Sequence, residues 1–312
     1  MIFINDAYHH GIIQLMNSKK TALLNYIYSC SQNHKKMNSN FRFGISSWSY
    51  PWSIGVAKGP QPPVKMTAIE LMQKAKEQGV NLVQIADNLP LEKLSGKELS
   101  ELAEFSVKHK IDIEVGTKGI EVDHLLNFLG IAKKLGSPIL RTLPALFGKK
   151  AEFDVVKRNI LEVLPKFEEA NVIVVLENTE AFHACEYVEL MKSINHSHFR
   201  MCVDLANALG IMEGPEYVME ELLPYCGNYH FKDVEVTRSQ TLMGFSVHGK
   251  PAGQGQIPLP LVLNKLTELQ LFPSVILELW PPPQSNIEET MQLEDKWVGE
   301  SITYLNTVLS TN

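Results

Sequence analysis

From Phe41 onward, short aliphatic and β-branched runs alternate with longer stretches of helical period, and the alternation occurs eight times. The runs are Phe41–Ser46, Leu82–Ala86, Ile111–Val115, Ile139–Thr142, Val172–Glu177, Phe199–Asp204, Asn228–Lys232 and Val275–Glu278. Runs this short and apolar suit strands buried on both faces, as in a parallel sheet whose crossovers are helices. Between them, sets such as Ala68, Ile69, Leu71, Met72 and Ala75, or Leu125, Leu126, Phe128, Leu129 and Ala132, have the spacing of one helix face. Gly79 and Gly136 follow two of these stretches where a left-handed cap residue belongs. Eight strand–helix units predict an α/β fold, a single-domain (β/α)8 TIM barrel over residues 41–312. An open doubly wound sheet usually has fewer strands, and no Gly-x-Gly-x-x-Gly follows the first run.

The composition narrows the class of partner. With 312 residues, 45% of them apolar, and a formal charge of -6, the chain lacks the basic stripe of a nucleic-acid or anionic-membrane binder. No run of about 18 apolar residues indicates a transmembrane helix. The four cysteines, Cys30, Cys185, Cys202 and Cys226, show neither metal-type pairs nor disulfide-scaffold density. They read as reduced thiols of a cytoplasmic protein, and Cys202 reads as a small buried hydrophobe. Residues 1–40 differ in character from the rest: Lys19-Lys20 and the apolar stretch behind them only faintly resemble a leader, and Met37 offers an alternative start. They are expected to be an amino-terminal extension outside the barrel.

Four of the eight runs end in a carboxylate or carry an imidazole near their end: Glu177, Asp204, His230 and Glu278. In a parallel barrel such endings share one rim, so three carboxylates and one imidazole converge on the axis, a set suited to one divalent cation. The loops Trp48–Pro63, Asp233–Ile257 and Trp280–Asn286 all leave that rim and are long, whereas those at Gly79 and Gly136 are short. The long loops are expected to wall the site. Lys232 lies two residues beyond His230 and points the same way, toward substrate or a neighbouring carboxylate, and Asp233 is expected to orient a ligand from behind. Arg141, at the end of the fourth strand, is a candidate for binding an anionic substrate group, with a structural pairing to Glu114 as the equal alternative. Trp48, Tyr50, Trp52 and Trp280 are aromatic candidates for the mouth, and His248 is a candidate lid residue whose bland reading is a surface histidine. Asn178 and Asn207 either hold ligands or cap strands and helices.

The segments Glu177-Asn178-Thr179, Val203-Asp204-Leu205-Ala206-Asn207, His230-Phe231-Lys232-Asp233 and Gly253-Gln254-Gly255-Gln256-Ile257, with the strand end at Glu278, together resemble the xylose isomerase-like sugar phosphate isomerase/epimerase family. Each is weak alone; five in this order at barrel spacing are specific for the superfamily and not for a substrate. The resemblance implies one divalent ion (manganese, magnesium, cobalt or zinc) on Glu177, Asp204, His230 and Glu278. It also implies that Glu177 and Glu278 trade a proton with one substrate carbon. Members acting on free ketoses often have histidine three residues after the metal-binding aspartate, where this sequence has Asn207.

The expected function is therefore a divalent-metal-dependent isomerase or epimerase of a sugar, keto sugar or sugar phosphate, working through an enediolate formed next to a carbonyl. Glu177, Glu278 and Lys232 are its catalytic candidates, and Arg141, Asn207, Trp48, Trp280 and His248 its substrate-binding ones. The alternatives are a metal-dependent dehydratase or lyase of a keto-polyol, of inosose or dehydroshikimate type, and a non-catalytic sugar-binding barrel. A phosphodiesterase acting on nucleic acid is disfavoured by the acidic balance and the few histidines. Homo-oligomerisation is left open.

Overall fold

The computed structural model describes residues 40–309. The expected amino-terminal extension, with Cys30 and Met37, lies outside these residues. Eight strands close a barrel in the order β1 (Phe43–Ser46), β2 (Leu82–Ile85), β3 (Asp112–Gly116), β4 (Ile139–Thr142), β7 (Ile173–Glu177), β8 (Phe199–Asp204), β9 (Cys226–Phe231) and β12 (Ser274–Leu277). Every neighbouring pair is parallel, and β12 returns to β1 with Phe43 opposite Val275. All eight sequence-read strands are present to within two residues, because each is a run that only burial on both faces satisfies.

The helices form where pattern and caps agree. Thr67 caps Ala68–Glu77 reciprocally with Glu70, and the helix buries Ala68, Leu71, Met72 and Ala75 before stopping ahead of Gly79, whose φ is +71°. Val122–Leu135 buries Leu125, Phe128, Leu129 and Ala132 and ends on Gly136 at φ +69°; Leu126, on the edge of its apolar set, is exposed. The main core lies between this helical ring and the sheet. A smaller cluster of Ile139, Val175 and Cys202, flanked by Ile173, forms a separate apolar group on β4, β7 and β8.

The long loops have more structure than their composition announced. The Trp48–Pro63 segment contains a short helix, Pro51–Ile54, whose backbone is held by Glu294 on the last helix, Ile287–Leu309. Between β4 and β7, Ala145–Leu146 (β5) and Lys149–Lys150 (β6) pair as a small antiparallel hairpin. The Asp233–Ile257 segment opens with a longer hairpin, Asp233–Arg238 (β10) against Phe245–Lys250 (β11). Asp233 anchors the turn beyond β11: its carboxylate accepts the backbone N–H groups of Gly253 and Gly255 at 2.8 Å and of Ile257 at 3.0 Å. A Cβ on Gly255 would collide with that carboxylate, so only glycine permits the wrap. Asp233 thus serves the Gly-Gln-Gly turn; it does not brace a ligand as its place beside Lys232 suggested.

Candidate metal centre

β7, β8, β9 and β12 bring Glu177, Asp204, His230 and Glu278 to the carboxyl-terminal rim, where one donor atom of each lies within 4.8 Å of the others. All four are buried, none more than 1% exposed. His230 Nδ1 lies 3.3 Å from both Glu177 Oε2 and Glu278 Oε1, and among the described residues it is a buried nitrogen with no hydrogen-bond partner. An orphan ring nitrogen directed between two carboxylates is a donor set that a cation satisfies.

Lys232 stands among the same groups. Its ammonium is 2.6 Å from Asp204 Oδ2, 2.8 Å from Glu278 Oε2, 3.3 Å from Asn207 Oδ1 and 5.4 Å from the centre of the Trp280 ring. Arg141 Nε binds Glu177 Oε2 at 2.5 Å, and its Nη1 reaches Asp87 at 2.9 Å and the carbonyl of Thr117 at 3.1 Å. Its partners are thus Glu177 and Asp87, not the Glu114 suggested by sequence. Glu177, Asp204, Glu278 and Asp87 set four carboxylates against Lys232, Arg141 and a protonated His230, and a divalent ion taking the place of the His230 proton would bring the group to balance.

The electrostatics follow from this packing. Burial pushes Glu177 up, but Arg141 and His230 outweigh it and hold the carboxyl well below the usual range. For Glu278 burial is likewise overcome by His230 and Lys232, leaving it at about 2. Burial dominates at Asp204 and pushes it up despite Lys232. Lys232 itself is raised: burial disfavours its charge, and Asp204 and Glu278 more than restore it.

The supporting polar groups lock the rim. Asn178 Nδ2 donates to the Asp204 carbonyl at 2.7 Å and its Oδ1 accepts the Asp204 N–H at 2.8 Å, tying the ends of β7 and β8. Asn207 Nδ2 donates to Glu177 Oε1 at 2.8 Å, and Asp204 Oδ1 accepts the N–H groups of Ala206 and Asn207. Asn207 therefore contacts a carboxylate of the centre, and Asn178 the backbone of Asp204. Ser46 Oγ donates to Glu278 at 3.1 Å.

The aromatic candidates divide. Trp280, 40% exposed, faces Lys232, and Trp48 donates its indole N–H to Asp87 at 3.3 Å. Trp52 donates its own to the Pro281 carbonyl, joining two mouth loops, whereas Tyr50 is fully buried and 5.9 Å from Lys74. His248 is exposed on β11 opposite Glu235 and makes no side-chain hydrogen bond or ion pair among the described residues. Beyond β3, β4 and β7, Lys118, Lys149 and Lys150 line a cleft with Glu180. Among the described residues Lys118 and Lys149 have no carboxylate partner.

Below the ligands Glu114 belongs to a polar layer whose other members, Gln84, Asn228 and Ser274, pattern reading passed over, the four joined by hydrogen bonds of 2.5–3.1 Å. The signal that could have found it was a glutamine inside the otherwise apolar run Leu82-Val83-Gln84-Ile85, since a polar side chain buried in a strand requires partners.

Among the described residues no helix is long and apolar enough to cross a membrane. Residues 72–298 match a family model described as a xylose isomerase-like TIM barrel. A curated relative, 3-oxo-isoapionate decarboxylase of Pectobacterium atrosepticum, is 28% identical over 264 residues, covering 85% of this chain and 94% of the relative. D-psicose 3-epimerase of Clostridium cellulolyticum H10, solved with D-tagatose, superposes with a TM-score of 0.65 at 15% identity, over 86% of this chain and 99% of its own. A xylose isomerase-like TIM barrel protein of Mycobacterium smegmatis, in complex with magnesium, has a TM-score of 0.61 at 14% identity, over 86% and 98% of the two chains. At these identities the two solved structures share the fold.

Proposed function

The chain belongs to the xylose isomerase-like TIM barrel family, and on that premise we propose that it is a divalent-metal-dependent enzyme acting beside the ketone of an oxidised sugar or keto sugar acid. The observation that carries this reading is the buried His230 Nδ1, unpartnered and set 3.3 Å from two carboxylates. Glu177, Asp204, His230 and Glu278 would hold the ion. When bound, a divalent cation supplies Lewis-acid polarisation of a carbonyl and charge compensation for an enediolate.

Among reactions that share an enediolate, decarboxylation has the better support. In it, the bond from the carbon beside the ketone to its carboxylate breaks, the electron pair forms the enediolate, carbon dioxide leaves, and the carbon then takes up a proton. No base is required. Epimerisation instead needs one carboxylate to take the proton from the carbon and a second, protonated one to return a proton to the opposite face, and Glu177, held by Arg141 at 2.5 Å, is poorly suited to either task. Lys232 is the proton donor this chemistry needs. Its ammonium is held by Asp204 and Glu278, and it becomes a readier acid when those carboxylates are shared. The decarboxylase relative and the lysine-lined cleft agree with an anionic substrate. Asn207, Trp48 and Trp280 are positioned to bound its sugar portion, and Arg141 acts by holding Glu177.

Epimerisation is the second reading, favoured by the convergence of Glu177 and Glu278 on one point. The test begins with metal analysis of chelator-stripped protein reloaded with manganese, where about one ion per chain is expected and Glu177→Gln or Glu278→Gln weakens it. The loaded enzyme is then offered 3-keto sugar acids and ketoses. Release of carbon dioxide with one solvent deuterium incorporated supports decarboxylation; deuterium exchange at a retained carbon skeleton supports epimerisation. Failure to bind any ion refutes both.

A further inference from the structure

Gln84 is fully buried on β2, beside β3. Its side-chain amide makes three contacts that leave one orientation. Nε2 donates to Glu114 Oε2 and to Asn228 Oδ1, each at 3.1 Å. Both acceptors are held from elsewhere: Asn228 Nδ2 donates to Glu114 Oε2 at 3.0 Å and to Ser274 Oγ at 2.7 Å, and Ser274 Oγ donates to Glu114 Oε1 at 2.5 Å. With its NH2 group spent on two oxygens, Gln84 must present its carbonyl oxygen to the remaining neighbour, His230 Nε2, at 2.7 Å. A carbonyl oxygen can only accept, so Nε2 carries a proton whether the ring is charged or neutral.

We propose that Gln84, fixed by Glu114 and Asn228, is a positioning residue that holds His230 through its Nε2–H, so that Nδ1 is the nitrogen directed at Glu177 and Glu278 and the one a cation would take in place of a proton. This role rests on the proposed metal centre and deepens it. It explains why Nδ1, and not Nε2, is the orphan atom facing Glu177 and Glu278. It also gives the Gln84–Glu114–Asn228–Ser274 layer a purpose: Glu114 draws on the amide of Gln84, which polarises the carbonyl toward the imidazole N–H and strengthens Nδ1 as a donor. An apolar residue at position 84 would remove the carbonyl that His230 Nε2 meets at 2.7 Å, and with it a restraint on the ring's rotation.

The test uses the full chain with imidazole-labelled histidine and zinc as the probe. In zinc-loaded wild type, two-bond proton–nitrogen correlations are expected to show His230 protonated at Nε2 and metal-bound at Nδ1. Gln84→Leu is expected to lower zinc affinity roughly 10- to 100-fold by calorimetry, with unaltered circular dichroism. The exchange Gln84→Glu with Glu114→Gln keeps an acceptor on His230 and a donor–acceptor pair within the layer, and is expected to recover most of the loss. Zinc bound through Nε2, or an unchanged affinity in Gln84→Leu, overturns the role of Gln84 while leaving the metal centre intact. Failure of wild type to bind zinc or manganese overturns both together. If Gln84→Leu does not fold, the wild-type nitrogen assignment still decides the question.

Discussion

Glu294 joins the last helix to the mouth of the barrel, and its protonation sets a measurable pH dependence of stability. Its carboxyl is fully buried and accepts the backbone N–H of Trp52 at 2.7 Å, that of Ser53 at 3.0 Å and the Ser53 hydroxyl at 2.5 Å. Burial pushes it from 4.5 up to about 7, with the Ser53 and Trp52 hydrogen bonds opposing and Asp295 assisting. Asp295 is itself paired with Lys74, so the nearby negative charge is partly offset. The folded protein therefore retains a proton that the unfolded chain releases, and stability falls as pH rises from about 4.5 to about 7. At about 1.4 kcal/mol per pKa unit the full effect is on the order of 3 kcal/mol, of which roughly 2 kcal/mol falls between pH 5 and pH 8. Glu294→Gln cannot ionise, but its NH2 end cannot accept the Ser53 pair, at a cost of about 1–3 kcal/mol at every pH. The variant is thus expected to be less stable than wild type at pH 5 and to close most of that gap by pH 8. Urea midpoints of both proteins, measured in chelator at the two values, check this. A gap that stays constant or widens with pH would show that Glu294 is ionised in the fold and refute the reasoning.

Further outcomes concern the centre itself. Arg141→Met leaves Glu177 buried without its cation, so the metal-free protein is expected to lose roughly 3–5 kcal/mol in urea unfolding, while manganese binds more tightly than to wild type because one positive charge is gone; weaker binding would count against the charge balance described. Lys232→Met is expected to retain or raise metal affinity yet slow proton delivery to the product carbon by 100-fold or more, about the range for a lost general acid, as seen in the rate of deuterium incorporation. His248→Ala, on the exposed hairpin strand, is expected to leave metal binding and turnover within about twofold, consistent with a surface change of about 0.5 kcal/mol or less; a large loss of turnover would make it a lid residue after all. Gly255→Ala is expected to destabilise the protein by urea titration by more than about 1 kcal/mol, since its Cβ would meet the Asp233 carboxylate.

Much of this protein follows from its sequence because periodicity reports burial, and burial in a parallel barrel is monotonous. Eight apolar runs and the helical stretches between them specify the barrel, and parallel strands oblige Glu177, Asp204, His230 and Glu278 to share a rim. Partner choice is another matter. Arg141 has Glu177 and Asp87 as partners because β4 lies beside β7 and the loop after β2 reaches inward, a fact of three-dimensional adjacency with no local signature. Asp233 binds a turn some twenty residues away for the same reason. Gln84 joins His230 across 146 positions of chain. Hydrogen bonds are satisfied through space, and a side chain's alternatives are eliminated only when every neighbouring donor and acceptor is in place. Residue pattern was thus enough for the barrel and for the identity of the converging groups, whereas the carboxylate that each cation holds, and the nitrogen of His230 that faces Glu177 and Glu278, were settled by packing.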